Sequence, residues 1–179
     1  MNSPFKILPV LSLLSASLFA TQIVIEAESA VEIEAPVAKG TTPANAVIEK
    51  AASGGAFLFI KEGAGNPPKL NKGFAKYEFE VEKAGAYRLW ARVRWEGECS
   101  NSFMVQIDDR PAFLFGEDAT FNVWHWVRYP VARMAPLMRL SKGKHVLVFR
   151  NREDGVALDQ ILLTTDKRVV PVGIISGAK

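Results

Sequence analysis

The feature that most constrains this chain is a regular alternation of side chains in the segment "AGAYRLWARVRW", residues 84–95. Successive side chains of a β-strand point to opposite faces of the sheet, so this period indicates a strand with two distinct faces. The face predicted to be core carries Tyr87, Leu89, Ala91, Val93 and Trp95. The opposite face, which is predicted either to meet solvent or to lie under a loop, carries Arg88, Trp90, Arg92 and Arg94.

Similar short apolar runs recur along the chain, and residues that favour tight turns separate them, as in "EKAG", "IDDRP" and "SKGK". Helical periodicity is hard to find between these runs. The segments predicted to be strands are Gln22–Ala27, Ala56–Ile60, Lys76–Val81, Gly85–Trp95, Ser102–Ile107, Phe113–Phe115, Trp124–Val131, Met138–Leu140, Gly143–Asn151 and Ala157–Thr164. About ten strands in one domain predict an all-β fold in which two antiparallel sheets stack as a β-sandwich.

One carboxylate, Asp159, interrupts the apolar run in "NREDGVALDQILLTTD", residues 151–166. A charge buried in a core costs several kcal/mol or more unless a partner compensates it. Asp159 is therefore predicted to have a partner, which is either a metal ion or a nearby cation such as Arg150 or Arg152.

The first twenty residues differ from the rest because the stretch from Ile7 to Ala20 is apolar apart from three serines. This stretch is shorter than the ~20 residues that a membrane-spanning helix needs, and it ends in a small residue. It is predicted to be a secretory signal peptide cleaved near Ala20, which places the mature protein outside the cell, in the periplasm or on the cell surface. The alternative is a buried N-terminal helix. The predicted division is a signal peptide over 1–20, a β-sandwich over 21–166 and a C-terminal tail over 167–179.

Charge and cysteine content narrow the possible functions. The net charge is +3, and this near-neutral balance gives no general argument for nucleic-acid binding. Cys99 is the single cysteine, so the chain forms no internal disulfide. Packing or a metal ion must therefore supply the stability.

Six segments in a fixed order carry a resemblance to a known family. They are "IEAESA" (25–30), "GAYRLWARVR" (85–94), "NSFMVQIDD" (101–109), "WHWVRYPV" (124–131), "LSKGKHVLVFRNRE" (140–153) and "VALDQILLT" (156–164). With these segments the chain resembles the carbohydrate-binding modules of families 6 and 35 over about residues 22–166. The resemblance implies a galactose-binding-like jelly-roll β-sandwich with a structural calcium ion.

The same resemblance implies that Glu26, Glu28 and Asp159 hold the calcium. Calcium takes six to eight oxygen ligands, which carboxylates and backbone carbonyls supply. The alternative places Glu26 and Glu28 on a solvent-facing strand surface and pairs Asp159 with Arg150 or Arg152.

For the sugar, the resemblance implies a stacking tryptophan at Trp124, with Trp126 beside it and Phe57 as a second aromatic residue. Aromatic rings stack on the C–H face of a pyranose while polar groups fix its hydroxyls. Ala157 stands where the family tends to have an asparagine, which weakens the usual sugar site. The alternative is that both tryptophans pack against the core.

A second candidate surface combines Trp90 and Arg92 with the neighbouring arginines Arg88, Arg94 and Arg128. Arginine binds carboxylate or sulfate through two parallel hydrogen bonds, so this surface would suit an acidic glycan. Asn101 is a further candidate for a polar sugar contact. The alternative is an ordinary exposed face whose arginines pair with nearby acids.

The predicted function is therefore a secreted, non-catalytic carbohydrate-binding domain with a structural calcium ion. The sequence has no G-x-S-x-G element, and its two histidines lack metal-ligand spacing. The acidic pairs at 108–109 and 117–118 lie in turn sequences, which explains them without catalysis. The alternative function is a structural or protein-binding β-sandwich of the cell envelope.

Overall fold

The computed structural model describes residues 20–42, 51–64, 72–129 and 137–177, which form an antiparallel β-structure. Two short 3₁₀ turns cover Ala27–Ser29 and Ser53–Gly55. The strands are β1 (Gln22–Glu26), β2 (Glu32–Glu34), β3 (Val37–Thr41), β4 (Ala56–Ile60), β5 (Phe74–Val81), β6 (Gly85–Trp95), β7 (Ser102–Ile107), β8 (Phe113–Gly116), β9 (His125–Tyr129), β10 (Met138–Leu140), β11 (Gly143–Arg150) and β12 (Val156–Thr164). Within these ranges, no helix has the length and apolar character needed to cross a membrane.

The strands form two sheets, which confirms the predicted all-β sandwich. In the larger, seven-stranded sheet, β6 and β12 are the central pair. Strands β9 and β10 pair with β6, strands β1 and β4 pair with β12, and β3 pairs with β4. The smaller sheet has the order β2-β5-β11-β7-β8.

The predicted core face of β6 is confirmed, because all five of its side chains from Tyr87 to Trp95 are fully buried. They pack with apolar residues of the smaller sheet, including Tyr77, Leu147 and Phe149. Burying a large apolar side chain contributes roughly 1.5–3 kcal/mol, so this layer accounts for much of the stability of the fold.

Strand β12 contains a β-bulge at Asp159. Leu158 pairs with Val93 and Gln160 pairs with Arg92, so that two consecutive positions of β6 face three positions of β12. The bulge lets both Leu158 and Ile161 reach the core, although they are three residues apart. Asp159 is the extra residue.

Two strands were not predicted from the sequence, and three predicted strands are shorter than expected, by one residue for β1 and β11. Strands β2 and β3 have three and five residues and flank Pro36, so no long alternating run marks them. The strand predicted over Trp124–Val131 is observed over His125–Tyr129, and positions 130 and 131 lie outside the described residues. The predicted signal peptide also falls outside them, apart from Ala20.

Candidate functional site

The surface of the larger sheet that points away from the core gathers most of the predicted ligand residues, and we call it the outer face. Trp90 and Arg92 alternate along β6 with core residues, and their partners on β9 are Arg128 and Trp126. Five of the six side chains predicted to contact a ligand lie on the outer face, namely Phe57, Trp90, Arg92, Trp124 and Trp126.

The segment after β12 crosses this face, and we call residues 165–177 the strap. Arg88 Nη1 donates a hydrogen bond to the Lys167 carbonyl at 2.7 Å, and Trp126 Nε1 donates to the Gly173 carbonyl at 2.8 Å. Gln160 and the backbone of Ile175 exchange two hydrogen bonds, of 2.8 and 2.9 Å. The strap therefore covers part of the face, and Arg88, Trp90 and Arg92 are buried. Of the two predicted possibilities for these side chains, a covered face is confirmed and an ordinary exposed face is wrong.

Trp124 and Phe57 form an aromatic corner at one side of the outer face. Their rings touch edge to face, with centroids 5.6 Å apart and an interplanar angle of 72°. The Arg92 guanidinium carbon lies 5.4 Å from the centre of the Trp124 ring. Trp124 and Trp126 are half-buried and outside the hydrophobic core cluster, so the alternative that they pack into the core is wrong.

Gly40 of β3 fixes the position of Phe57. A Cβ atom at Gly40 would lie 2.7 Å from the Phe57 ring, which is closer than packed carbon atoms approach. The absence of a side chain at this position thus lets the ring of Phe57 lie against β3 and reach Trp124.

The partner of Asp159 is Arg92. Asp159 is fully buried, and its Oδ2 accepts a hydrogen bond from Arg92 Nη1 at 2.5 Å. Its Oδ1 accepts one from the Ser53 N–H at 2.7 Å. Burial raises the pKa of Asp159 above its ordinary value, although the hydrogen bond and charge of Arg92 act in the opposite direction.

The two arginines proposed from the sequence as partners of Asp159 are engaged elsewhere. Arg150 donates to Gln106, and Arg152 lies against Ser102 and Glu153. The predicted pairing of Asp159 with Arg150 or Arg152 is therefore wrong. The β-bulge in β12 directs Asp159 towards the neighbouring strand β6 instead.

The other two predicted calcium ligands lie next to this ion pair. Glu26 Oε1 accepts hydrogen bonds from Ser53 Oγ at 2.7 Å and from Gln160 Nε2 at 3.0 Å. The second oxygen of Glu26 and one oxygen of Glu28 are buried without a hydrogen-bond partner. Burial is the main cause that raises the pKa of Glu28, and the nearby charges of Glu26 and Asp159 add to it.

The carboxylate oxygens of Glu26, Glu28 and Asp159 fit a bound metal ion only in part. Two buried carboxylate oxygens without partners are what a bound Ca²⁺ would satisfy. Asp159, in contrast, already uses both oxygens. Across the described ranges, no three His, Cys, Asp or Glu side chains converge in a way that could hold a metal ion. The fit is thus to Glu26 and Glu28 rather than to Asp159, whose partner is Arg92.

Asn101 is not part of the outer face. It lies in the loop between β6 and β7, where its Nδ2 donates to the Asp118 carbonyl at 3.1 Å and its N–H donates to Glu153 at 3.0 Å. Both contacts are internal to the fold, and the contact with Asp118 accounts for the polar side chain at this position.

The acidic pairs and the histidines are also engaged in structural contacts. Asp108 accepts from the Val146 N–H at 3.0 Å and lies 2.8 Å from His145 Nδ1. Asp118 accepts from Trp95 Nε1 at 3.1 Å and lies 3.1 Å from His125 Nε2. Residues 108 and 109 form the turn after β7, as the sequence predicts, whereas 117 and 118 lie in the loop between β8 and β9.

Three features of the site were missed by sequence reasoning. Ser53 and Gln160 hold Glu26 and Asp159 in place, and the strap covers the outer face. A signal for the strap was present, because "VVPVGII" (169–175) is more apolar than a solvated tail requires. Ser53 carried no signal, since it is more than one hundred residues from Asp159.

Comparison with known proteins places this geometry in a structural class. The sequence matches no protein-family model and no curated protein. Among solved structures, it is similar to the C-terminal family 6 carbohydrate-binding module of LamC, a marine laminarinase from Zobellia galactanivorans. That similarity has a TM-score of 0.55 at 17% identity and covers 81% of this chain and 100% of that one.

A family 35 carbohydrate-binding module from Clostridium thermocellum gives a TM-score of 0.53 at 13% identity, over 80% of this chain and 97% of that one. An exo-β-1,3-galactanase from Phanerochaete chrysosporium gives 0.56 at 15% identity and 80% coverage of this chain. The chain spans 29% of the length of that enzyme. The two carbohydrate-binding modules, in contrast, are covered over almost their whole length.

The fold is therefore that of the carbohydrate-binding-module β-sandwiches. More closely, it is the fold shared by families 6 and 35, as the resemblance in the sequence implied.

Proposed function

We propose that this protein is a non-catalytic carbohydrate-binding domain whose ligand lies on the outer face of the larger sheet. The observation that carries this proposal is the aromatic corner, in which half-buried Trp124 lies beside Phe57 and under the Arg92 guanidinium. An aromatic face binds the C–H side of a sugar ring, while an arginine and nearby polar groups fix its hydroxyls. The solved structures with this fold include modules of polysaccharide-degrading enzymes, which supports the proposal.

The geometry of the corner limits how a sugar binds. The Trp124 and Phe57 rings touch, so a pyranose has no room between them. Phe57 is also held against Gly40. The sugar therefore stacks on one of the two rings rather than between them, and Trp124 offers the larger ring.

The first test is retention on polysaccharides. The mature chain is applied to a glycan array and to affinity gels that contain neutral or acidic polysaccharides, in the presence of calcium. We expect retention on at least one of them. Absence of retention on every polysaccharide would contradict the proposed function.

Export is part of the same proposal, and the apolar stretch from Ile7 to Ala20 supports it. We expect the protein recovered from the producing cell to begin at or near Thr21 and to lie outside the cytoplasm. Mass spectrometry of the N-terminus, with cell fractionation, measures both. An intact leader on cytoplasmic protein would contradict export.

Calcium binding is the next part of the proposal, with Glu26 and Glu28 as the carboxylate ligands. Their unpartnered buried oxygens support the assignment, and backbone carbonyls would complete the shell. A ligand that binds only the folded state stabilises it, by about 2.7 kcal/mol at one hundred times its dissociation constant. We therefore expect added calcium to raise the melting temperature of chelator-treated protein. Identical melting curves with calcium and with chelator would contradict the assignment.

The variant Glu28→Gln separates the charge of Glu28 from its shape. Because the folded state raises the pKa of Glu28 above its ordinary value of 4.5, the protonated carboxyl favours folding. That contribution is fully present below pH 4.5 and is lost as the pH rises through the raised folded-state pKa. In chelator, E28Q is therefore expected to gain stability relative to the native protein as the pH rises through this range.

Urea unfolding of both proteins from pH 4 to pH 8 measures this difference. With calcium at neutral pH, the native protein is expected to be more stable than E28Q, because only the native protein retains both carboxylate ligands. Exposed Glu80→Gln is the matched control, because it removes one negative charge away from the proposed calcium ligands. A difference in unfolding free energy between E28Q and the native protein that stays constant from pH 4 to pH 8 would contradict the role assigned to Glu28.

A second candidate function is a contact with another protein of the cell envelope. The observation that favours it is the strap, which covers part of the outer face while Val170 and Val172 are 71% and 83% exposed. Crosslinking in the envelope fraction, with the double variant V170K/V172K as control, tests it. A partner whose crosslink depends on the two valines would favour this function, whereas a crosslink that survives the double variant would count against it.

A further inference from the structure

The strap occupies hydrogen-bond donors of the outer face that a saccharide would also use. The Lys167 carbonyl accepts the hydrogen bond of Arg88 Nη1, and the Gly173 carbonyl accepts that of Trp126 Nε1. Trp126 is a predicted ligand residue and lies two positions from the stacking residue Trp124. Polar groups of this kind are those that fix the oxygens of a bound sugar. The strap carbonyls and a saccharide therefore compete for the same donors.

The strap is fixed at both of its ends. At its start, the Thr165 N–H donates to the Thr21 carbonyl at 3.1 Å. At its far end, the fully buried side-chain amide of Gln160 exchanges two hydrogen bonds with the backbone of Ile175. Between these ends, each of the two donors above reaches the strap through one hydrogen bond to a carbonyl. The middle of the strap can therefore lift as a loop while the β-sandwich stays folded.

Three apolar side chains of the strap do little to hold it closed. Val170, Val172 and Ile174 are exposed. Alternate side chains of an extended segment point to opposite sides, so these three form a row that points away from the sheet. The hydrophobic effect is proportional to the apolar area removed from water. This row therefore adds little stability to the closed strap.

The closed strap also leaves one donor of the outer face unsatisfied. The Nε of Arg88 is buried without a hydrogen-bond partner, although Nη1 of the same guanidinium reaches the Lys167 carbonyl. Burying a donor without an acceptor is unfavourable, because the group loses its hydrogen bond to water. Lifting the strap gives water access to this guanidinium. The closed strap is therefore less stable than its hydrogen bonds alone suggest.

We propose that the strap is an autoinhibitory cover of the outer face, which a saccharide displaces when it binds. The inference rests on the proposed function and concerns the regulation of the same site. The middle of the strap lifts, the Gly173 carbonyl releases Trp126 Nε1, and the saccharide takes its place beside Trp124. Because only molecules with a lifted strap bind, the apparent dissociation constant is the intrinsic one divided by the open fraction. Weakening the closed strap therefore tightens binding.

Gly173 offers a substitution that acts on the strap alone. Its φ is +61°, in the left-handed region that residues with a Cβ atom rarely adopt. Beyond its chain neighbours, no atom of the described residues lies within 4 Å of an added Cβ. Gly173→Ala therefore disfavours the closed backbone at the carbonyl that binds Trp126, without a clash. We expect G173A to bind a saccharide about fivefold more tightly than the native protein.

Isothermal titration of the full mature chain with cellotriose, laminaritriose and β-1,3-galactotriose measures the affinity. Gly63→Ala is the matched control, because Gly63 has a φ of +80° and equally open surroundings but lies in the turn after β4. It should lose a similar amount of stability and bind like the native protein. Ile175→Pro is a second strap variant. It removes the N–H that donates to Gln160 Oε1 and should also tighten binding.

Limited proteolysis with trypsin reports the position of the strap directly. Trypsin cleaves after Lys167 and Arg168, and the Lys167 carbonyl is held by Arg88 while the strap is closed. Cleavage of a transiently opened segment follows the population of its open form. We therefore expect a bound saccharide to speed cleavage within the strap, and G173A to be cleaved faster than G63A without saccharide. Mass spectrometry of the released C-terminal fragment measures both rates.

The outcomes separate the two proposals. Equal or weaker saccharide binding by G173A and I175P, compared with the native protein, would overturn the autoinhibitory cover and leave carbohydrate binding intact. Strap cleavage that a bound saccharide slows or leaves unchanged would overturn it as well. Absence of binding to every saccharide, in the native protein and in G173A, would overturn the proposed function together with the cover.

Discussion

Replacing Arg92 by alanine is expected to lower the free energy of unfolding by about 3–5 kcal/mol, because it leaves the fully buried carboxylate of Asp159 without its cation. Arg92 Nη1 is also hydrogen-bonded to the Ala51 carbonyl at 3.2 Å, so the substitution removes a second contact. Urea denaturation at neutral pH measures the loss. This is the largest stability effect that we expect from any outer-face side chain.

The controls for this prediction separate charge from packing. Arg94→Ala removes a half-buried arginine from the same face of the same strand and should cost less than about 1 kcal/mol. The double variant R92A/D159N should be more stable than R92A alone, because the second change removes the unpaired charge. A loss in R92A no larger than that in R94A would show that the pair contributes little.

Replacing Trp124 by alanine is expected to weaken saccharide binding by about 2 kcal/mol or more, which is roughly a thirtyfold change in affinity. The physical reason is that the ring provides the stacking surface of the corner. The loss of stability should be moderate, since Trp124 is half-buried and outside the core cluster. Titration with an oligosaccharide from the best-retained polysaccharide measures the affinity.

The structure offers a matched control for W124A on the other sheet. Phe74 is a half-buried aromatic residue with the Arg150 guanidinium carbon 5.9 Å from its ring, as Arg92 lies over Trp124. Phe74→Ala should bind the saccharide like the native protein. Unchanged affinity in W124A, or equal losses in both variants, would contradict the placement of the ligand at the aromatic corner.

The parts of the fold that the sequence predicts are those in which one strand carries its own pattern. The alternation in β6 separates core from outer face without knowledge of any neighbour, and the five core residues are buried as expected. Strands β2 and β3 carry no such pattern. They are short, and their places depend on pairing with β5 and β4, which sequence periodicity does not report.

The candidate site depended on contacts between distant strands. That Asp159 needs a partner follows from its apolar surroundings, but the identity of Arg92 depends on the bulge and on the register of β12 against β6. Trp124, Trp126 and Phe57 were implied by the family resemblance, and Trp90, Arg92 and Asn101 were chosen by residue type. Five of the six lie on one face of the larger sheet, which depends on how distant strands pair. Asn101 was chosen for its side-chain amide, which the hydrogen bond to the Asp118 carbonyl accounts for.

The central claim, that a saccharide binds the outer face of the larger sheet, is tested most directly by the four indole N–H signals in a nitrogen–proton correlation spectrum. Trp90, Trp124 and Trp126 lie on the outer face, whereas Trp95 is in the core and donates to Asp118. During titration with an oligosaccharide from the best-retained polysaccharide, we expect the first three signals to shift in proportion to saturation while the Trp95 signal stays in place. Binding that shifts the Trp95 signal alone, or none of the four, would contradict the claim.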